Sequence, residues 1–403
     1  MNLVIYNDDK TINTYEIKKE IFFDSSIENK VFYIASNSKE QNALKIFKSY
    51  FSGSKSILFD DSNKILQSEL EDLNIPRFGE NSSFKNIFDD YSFSFLYYTS
   101  GSTGFPTAAL KTKDNIDSEI SDLSLLLQAY DIKRVIVTVP FIHIYGSLFG
   151  LFYPLKHNLD IVLKEHFLPN DLLDLIDDNS LVVTTPLYIK ALNQISSAKD
   201  LSKSIFVSST APLLSEDAKE FKDKFNSNII QIFGSTETGG IAYKYNDDEL
   251  WSPLKSVELG INSEKLLSVN SPYVSSVIYE KEFKITNSTI ETFDYVEFVD
   301  DKFRLVGRSS QILKIAGKRY STIQIEDILE KIEDITKALV LVDNSSGLRG
   351  EILDITLEAN RAFTSKEIQN ILKKELSNLK FSINLKLVDK IKTSSTGKKL
   401  AIQ

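Results

Sequence analysis

From about residue 92 the chain alternates short apolar runs with polar or glycine turns and longer segments of helical periodicity. FSFLYY (93–98), VIVTV (135–139), LVVTT (181–185), IFV (205–207) and IIQIF (229–233) have the length and the β-branched or aromatic content of strands. Between them, Asp114 to Ala129 and Pro212 to Phe225 read as helices, the second with a proline near its first turn, where a missing N–H costs least. Strand, turn and helix in repeated order predict an α/β fold with a mostly parallel sheet. In such sheets ligands are expected at the loops that follow the strands.

Val135 to Leu155 carries no Lys, Arg, Asp or Glu and is long enough to span a bilayer. Pro140, His143 and Gly146 interrupt it midway, and its β-branched start suits a strand buried on both faces, so no membrane span is expected. With 403 residues, 42% hydrophobic and 26% charged, the chain can bury a large core and divide into two or more domains. It has no cysteine, which removes disulfides, thiolate nucleophiles and cysteine metal sites together. MNLVIYNDDK lacks the basic start and apolar core of a secretory signal, and a cytoplasmic protein is expected.

Charge is unevenly distributed. Residues 308–403 carry 17 basic and 12 acidic side chains, a net of +5, against −14 for residues 1–307. The change falls at Gly307-Arg308-Ser309-Ser310, after the strand-like FRLV, which predicts a domain of residues 1–307 and a smaller one of residues 308–403. In the latter, Thr364-Ser-Lys-Glu367 reads as a capping box that opens a helix to about Leu379.

The chemistry begins at YYTSGSTGFPTAALKTKDN (97–115). Thr99, Ser100, Gly101, Ser102, Thr103 and Gly104 have almost no side chain to bury and offer backbone N–H groups and hydroxyls, as an anion cradle does. Composition alone leaves a phosphate loop and a surface linker equally open, since neither the Walker GxxxxGK[ST] nor the Rossmann pattern is present. The order of motifs decides. YTSGSTGFP, PFIHIYG (140–146), STAPL (209–213), FGSTETGG (233–240), ETFDYVEF around Asp294, LVGRSSQILKIAGKRYSTIQIE (305–326) and TGKK (396–399) resemble, in sequence order, the signatures of the adenylate-forming superfamily of acyl- and aryl-CoA synthetases, acyl-AMP ligases, adenylation domains and luciferases. The resemblance covers about residues 95–403. The first 90 residues resemble the family only weakly and are shorter than its usual N-terminal region.

The resemblance implies a large N-terminal domain with mostly parallel sheets and a small, mobile α+β C-terminal lid. It implies that residues 99–104 hold the β- and γ-phosphates of ATP, that Ala211 lies against the nucleotide, and that Thr236 approaches the α-phosphate and the substrate carboxylate. Glu237 becomes the carboxylate linked to Mg2+, a cation satisfied by one carboxylate, phosphates and water. Asp294 accepts from the ribose hydroxyls, Arg308 donates nearby, Lys398 neutralises charge during adenylation, and the loop around Lys314 to Gly317 presents the site to a thiol. His143 stands beside the substrate carboxylate. PFIHIYG holds no aspartate to pair with an ammonium, so the acid is expected to lack an α-amino group. Two positions depart from the family: Thr107 where a lysine is usual, with Lys111 or Lys113 as candidate replacements, and Ser310 at the hinge.

The implied reaction is attack of a carboxylate on the α-phosphorus of Mg·ATP, giving an acyl-adenylate and pyrophosphate, then transfer to a thiol of CoA or of a phosphopantetheine carrier protein. The basic C-terminal domain suits either acceptor. No nucleic-acid partner is expected. The competing readings are an impaired nucleotide-binding relative with a regulatory or scaffolding role and, more remotely, a distinct NTPase.

Overall fold

The strand-like runs form strands Phe95–Tyr98, Arg134–Val137, Ser180–Thr184, Ile205–Ser208 and Asn228–Ser235. The computed structural model describes residues 1–80, 85–98, 107–308, 312–315, 318–343, 352–375, 382–393 and 399, with the backbone alone for 312–315, 318–321, 324, 343 and 375. Two compact units result: Met1–Leu259 with Val269–Ile290, and Gly260–Ser268 with Glu291–Gln403. The boundary proposed between residues 307 and 308 falls within the second, at the end of strand Lys302–Arg308.

In the first unit a nine-stranded sheet has a parallel centre: Asn228–Ser235, Ile205–Ser208, Ser180–Thr184, Arg134–Val137, Asp160–Leu163 and Asn2–Tyr6, in that spatial order. Antiparallel strands flank it, Gly239–Tyr245 and Ser252–Pro253 on one side and Ile12–Glu16 on the other. Strand alternation explains the continuous apolar runs. Val135 and Val137 point into the core that also takes Phe95, Tyr97 and Leu58, while Ile136 points the other way, among Phe206, Leu192 and Phe221. Both faces are covered, so every position is apolar.

The second sheet is mixed. Its order is Phe283–Ile285, Val277–Tyr279, Ala108–Lys111, Phe95–Tyr98, Lys55–Leu58 and Val31–Ile34, with only the last three strands mutually parallel. This corrects the expected strand-turn-helix order at the glycine-hydroxyl segment, because the chain returns as a strand, Tyr98 pairing with Ala108 antiparallel. Helix Lys113–Leu127 starts only after Thr112, whose hydroxyl accepts from the Asn115 N–H while the Asn115 side chain accepts from the Thr112 N–H. The second expected helix runs Ser215–Phe225, with Pro212 ahead of it rather than in its first turn, which instead holds Glu216 and Asp217, the charges a helix N-terminus favours.

The long apolar run divides into strand Arg134–Val137, helix Ile144–Ser147, a π-helical turn Leu148–Phe152 and helix Tyr153–His157. Among the described residues no helix is long and apolar enough to cross a membrane.

The second unit carries a four-stranded sheet ending in Thr289–Val299 and Lys302–Arg308, a hairpin Ile312–Ile315/Lys318–Ser321, and a three-stranded sheet of Ile335–Asp343, Ile352–Ala359 and Ser382–Val388. Ile325 and Leu329 of helix Thr322–Glu330, and Ile368 and Leu372 of helix Ser365–Glu375, share a core with Val340 and Ile355 of the three-stranded sheet. The capping box opens the second helix as expected: Thr364 N donates to Glu367 Oε2 at 2.8 Å and Glu367 N to Thr364 Oγ1 at 3.3 Å. The described part of that helix ends at Glu375.

Candidate functional site

Four adjacent parallel strands, Asn228–Ser235, Ile205–Ser208, Ser180–Thr184 and Arg134–Val137, point their C-terminal ends to one edge of the nine-stranded sheet. Three sequence motifs leave from that edge, and two hydrogen-bonding side chains tie them together. The single Tyr145 O–H is shared between the carbonyls of Thr184 (2.9 Å) and Val207 (2.7 Å), fastening PFIHIYG across two strand ends. Ser209 Oγ donates to the Ile232 carbonyl at 2.8 Å, joining STAPL to the strand before FGSTETGG. The chain is tight here. A Cβ on Gly146 would lie 2.1 Å from the Pro140 carbonyl oxygen.

Thr210, next to Ala211, has φ of +80°, a region that a β-branched residue occupies only under strain. Strain of this kind gathers at functional sites. Ala211 itself is half-buried.

Thr236 and Glu237 stand, half-buried, on the turn between strands Asn228–Ser235 and Gly239–Tyr245. The turn is closed by reciprocal bonds, Ser235 N donating to Thr238 Oγ1 (3.0 Å) and Thr238 N to Ser235 Oγ (3.2 Å). Its underside is braced as well. Lys111 Nζ donates to the Glu237 carbonyl at 3.1 Å and to the Tyr273 carbonyl at 2.6 Å, and Gly240 N donates to Glu119 Oε1 at 2.7 Å. Gly239 has φ of +72°, and a Cβ there would meet Glu119 Oε2 at 2.6 Å.

Sequence reasoning missed this brace. Asn115, Glu119 and Asp122 follow one another at helical spacing on one face of Lys113–Leu127, and all three are buried. Together they hold three segments: Asn115 Nδ2 donates to the Pro272 carbonyl (2.8 Å), Glu119 takes Gly240, and Asp122 accepts from Ser256 N (2.7 Å), Ser256 Oγ (2.9 Å) and Tyr273 Oη (3.2 Å). The signal was the polar spacing N-x-x-x-E-x-x-D, which a solvated helix face shares.

Burial lowers the Lys111 pKa, opposed by the charges of Glu119 and Glu237. It raises that of Glu119, opposed by Lys111 and by the Gly240 N–H. His143 follows Val139-Pro140-Phe141-Ile142 and precedes helix Ile144–Ser147. Burial lowers its pKa too, with Asp60 a weaker opposing influence, so the ring is neutral at pH 7. Its Nε2 is buried without a hydrogen-bond partner among the described residues.

Both lysines named as replacements for the one missing at position 107 have partners in the structure. Lys111 is fully engaged beneath the Glu237 turn, and Lys113 Nζ lies 2.6 Å from Asp117 Oδ2 and 5.2 Å from the Tyr50 ring centroid. The Thr107 hydroxyl donates to Glu280 Oε1 at 2.9 Å.

In the second unit, Asp294 and Arg308 face each other across a hairpin, and Arg308 Nε donates to Asp294 Oδ1 at 3.0 Å. Lys314 pairs with Arg319 along the next hairpin. Thr99, Ser100, Gly101, Ser102, Thr103, Gly104, Ser310 and Lys398 lie outside the described residues.

The sequence profile of the AMP-binding enzymes matches residues 28–264. The chain belongs to the AMP-binding enzyme family. It is therefore a member of the adenylate-forming superfamily, and the profile match reaches well into the first 90 residues, where the motifs gave little resemblance. This AMP-binding enzyme is 25% identical over 315 residues to VraA of Staphylococcus epidermidis, assigned by name to the long chain fatty acid-CoA ligases, covering 75% of this chain and 68% of that one. It is 24% identical over 251 residues to the 4-coumarate–CoA ligase of Cereibacter sphaeroides, covering 62% and 56% of the two chains. In fold it matches O-succinylbenzoate coenzyme A synthetase (MenE) of Bacillus subtilis in complex with ATP and magnesium ion, at a TM-score of 0.80 and 16% identity, over 98% of this chain and 95% of that one.

Proposed function

We propose that this AMP-binding enzyme activates a carboxylic acid lacking an α-amino group. In this reading the acid's carboxylate oxygen attacks the α-phosphorus of ATP and the bond to pyrophosphate breaks; a thiol of CoA or of a phosphopantetheine carrier protein then attacks the acyl carbon of the acyl-adenylate, the bond from that carbon to the phosphate oxygen breaks, and AMP leaves. The observation that carries the reading is the sheet edge on which the loops of His143, Ala211 and Glu237 meet, with an imidazole nitrogen buried there without a partner among the described residues. A buried donor of that kind suits a carboxylate, and a neutral ring can donate to it. The relative named a 4-coumarate–CoA ligase supports CoA as the acceptor.

Thr236 is then the hydroxyl beside the α-phosphate and carboxylate, residues 99–104 the phosphate cradle, Asp294 the ribose acceptor, and Arg308 and Lys398 the cations of the nucleotide. Glu237 is the carboxylate that would hold magnesium, which supplies charge neutralisation on the phosphates. Residues 308–403, with Lys314 at the thiol-facing loop, act as the lid that turns between the two half-reactions.

Carboxylate-dependent ATP–pyrophosphate exchange, run with aryl, short-chain and long-chain acids beside amino acids, tests this. Exchange with an acid lacking the amino group is expected, and exchange with amino acids alone would overturn the substrate class. Lys398→Ala should lose about 10²-fold or more when started from acid and ATP. Given preformed acyl-adenylate and thiol, it should make thioester at close to the normal rate; equal losses in both assays would assign the tail to holding the lid.

A second reading is a nucleotide-binding relative without ligase activity. It is favoured by Thr107, bonded to Glu280, with Lys111 and Lys113 both engaged elsewhere. Nucleotide binding without exchange for any acid would select it.

A further inference from the structure

Lys111 is 1% exposed and lies on strand Ala108–Lys111, where its neighbours Ala108, Ala109 and Leu110 are apolar and buried. Glu119 is 3% exposed, two turns along the helix that follows. A methionine at 111 has similar length and would fill the volume without taking an ammonium out of water, and replacing buried charge by apolar volume is often neutral or stabilising. Methionine cannot bind two carbonyls. The Lys111 ammonium holds those of Glu237 and Tyr273, and the Glu119 carboxylate holds the N–H of Gly240, so one fixes the Thr236-Glu237-Thr238 turn at its central residue and the other fixes the strand into which the turn leads.

We infer that Lys111 and Glu119 are positioning residues for adenylation, setting the height and orientation at which Glu237 presents its carboxylate. The inference rests on the reading of Glu237 as the magnesium-linked carboxylate. Lys111 also belongs to the strand that follows residues 99–106 in the chain, so one side chain ties the strand after the proposed phosphate cradle to the turn that carries the proposed metal ligand. Groups that orient a metal ligand without touching the metal alter metal affinity by about 10- to 100-fold when removed.

The test measures carboxylate-dependent ATP–pyrophosphate exchange against free magnesium for the full chain and for Lys111→Met, Glu119→Gln and Glu237→Gln, with thermal melting of each. Lys111→Met should raise the magnesium needed for half-maximal exchange by about tenfold, with the KM for the acid unmoved and the rate largely restored at saturating magnesium. Glu119→Gln keeps an acceptor for Gly240 but loses its charge, and should shift the same curve in the same direction by less. Should Lys111→Met fail to fold, Glu119→Gln decides alone. A lowered melting temperature with an unmoved magnesium curve would mean that the pair is structural only and would overturn the inference. Loss of exchange in Glu237→Gln with neither brace variant shifting the curve would overturn it too, leaving the Glu237 reading intact. Wild-type exchange in Glu237→Gln would instead remove that reading itself.

Discussion

Two hairpins in this chain carry a carboxylate for which a role is proposed, Asp294 toward the ribose and Glu237 toward magnesium, and they hold it in opposite ways. At Asp294 the carboxylate itself is the anchor: its side chain is 4% exposed, that of Arg308 is 41% exposed, and the two form an ion pair across neighbouring strands. At Glu237 the anchor is the backbone. The buried ammonium and carboxylate beneath the turn bind main-chain groups, and no described residue hydrogen-bonds to or ion-pairs with the Glu237 carboxylate itself. A group held by its main chain keeps its oxygens for a cation, whereas a group held by its side chain has a fixed orientation suited to accepting from a diol.

This contrast ranks the effects of substitution. Glu237→Gln should cost the most, about 10²-fold or more in carboxylate-dependent exchange, because the amide gives magnesium a much weaker ligand. Its melting temperature should stay at the wild-type value, since the brace beneath the turn is untouched; a large drop would mean that the carboxylate is part of the fold and would erase the difference between the hairpins. Asp294→Asn should raise the KM for ATP by about tenfold, the worth of one hydrogen bond to a charged acceptor. It should also lower stability measurably, because it breaks the Arg308 pair. An unchanged KM would confine Asp294 to that pair.

Smaller effects are expected elsewhere in the first unit. Thr107→Lys should lower the KM for ATP by about threefold, the scale of an exposed ion pair. Glu280, which now takes the threonine hydroxyl, would compete for the new ammonium, so Thr107→Lys combined with Glu280→Gln should gain more than Thr107→Lys alone. Equal KM values for wild type and the double variant would show that the phosphates need no further cation. Thr210→Gly should raise the free energy of unfolding by about 1 kcal/mol, read from the urea midpoint, since glycine takes φ of +80° without steric cost. A fall in the midpoint would mean that contacts of the threonine outweigh the backbone strain.

The parallel strands were legible because burial on both faces leaves a continuous β-branched run, and at Arg134–Val137 nothing competes with that pattern. The capping box at Thr364 was legible because it is local. The hairpin after Tyr98 was hidden, since Ala108–Leu110 is too short to separate from the start of the helix that follows. The role of Lys111 was harder still to see, because the groups it binds lie 126 and 162 residues away along the chain. Glu119 and Asp122 have partners at separations of 121 and 134 residues, and at sequence level they look like any charged helix face. Positions fixed by distant backbone carry no periodicity of their own.

Strand Asn2–Tyr6 has a consequence for synthesis. Its place in the nine-stranded sheet is beside Asp160–Leu163, with Asn2 N donating to Asp160 Oδ1 across 158 residues. At ribosomal rates that interval takes roughly 8 to 30 s. Until then Leu3 and Ile5, both fully buried in the finished sheet, lack their parallel neighbour, and of the two described strands beside theirs the nascent chain carries Ile12–Glu16 alone. A strand made well before its sheet neighbour is thus among the late arrivals in the sheet. In the interval its open edge can be taken by another nascent chain, which makes the yield of folded protein sensitive to translation speed and to chaperones that cover exposed strands.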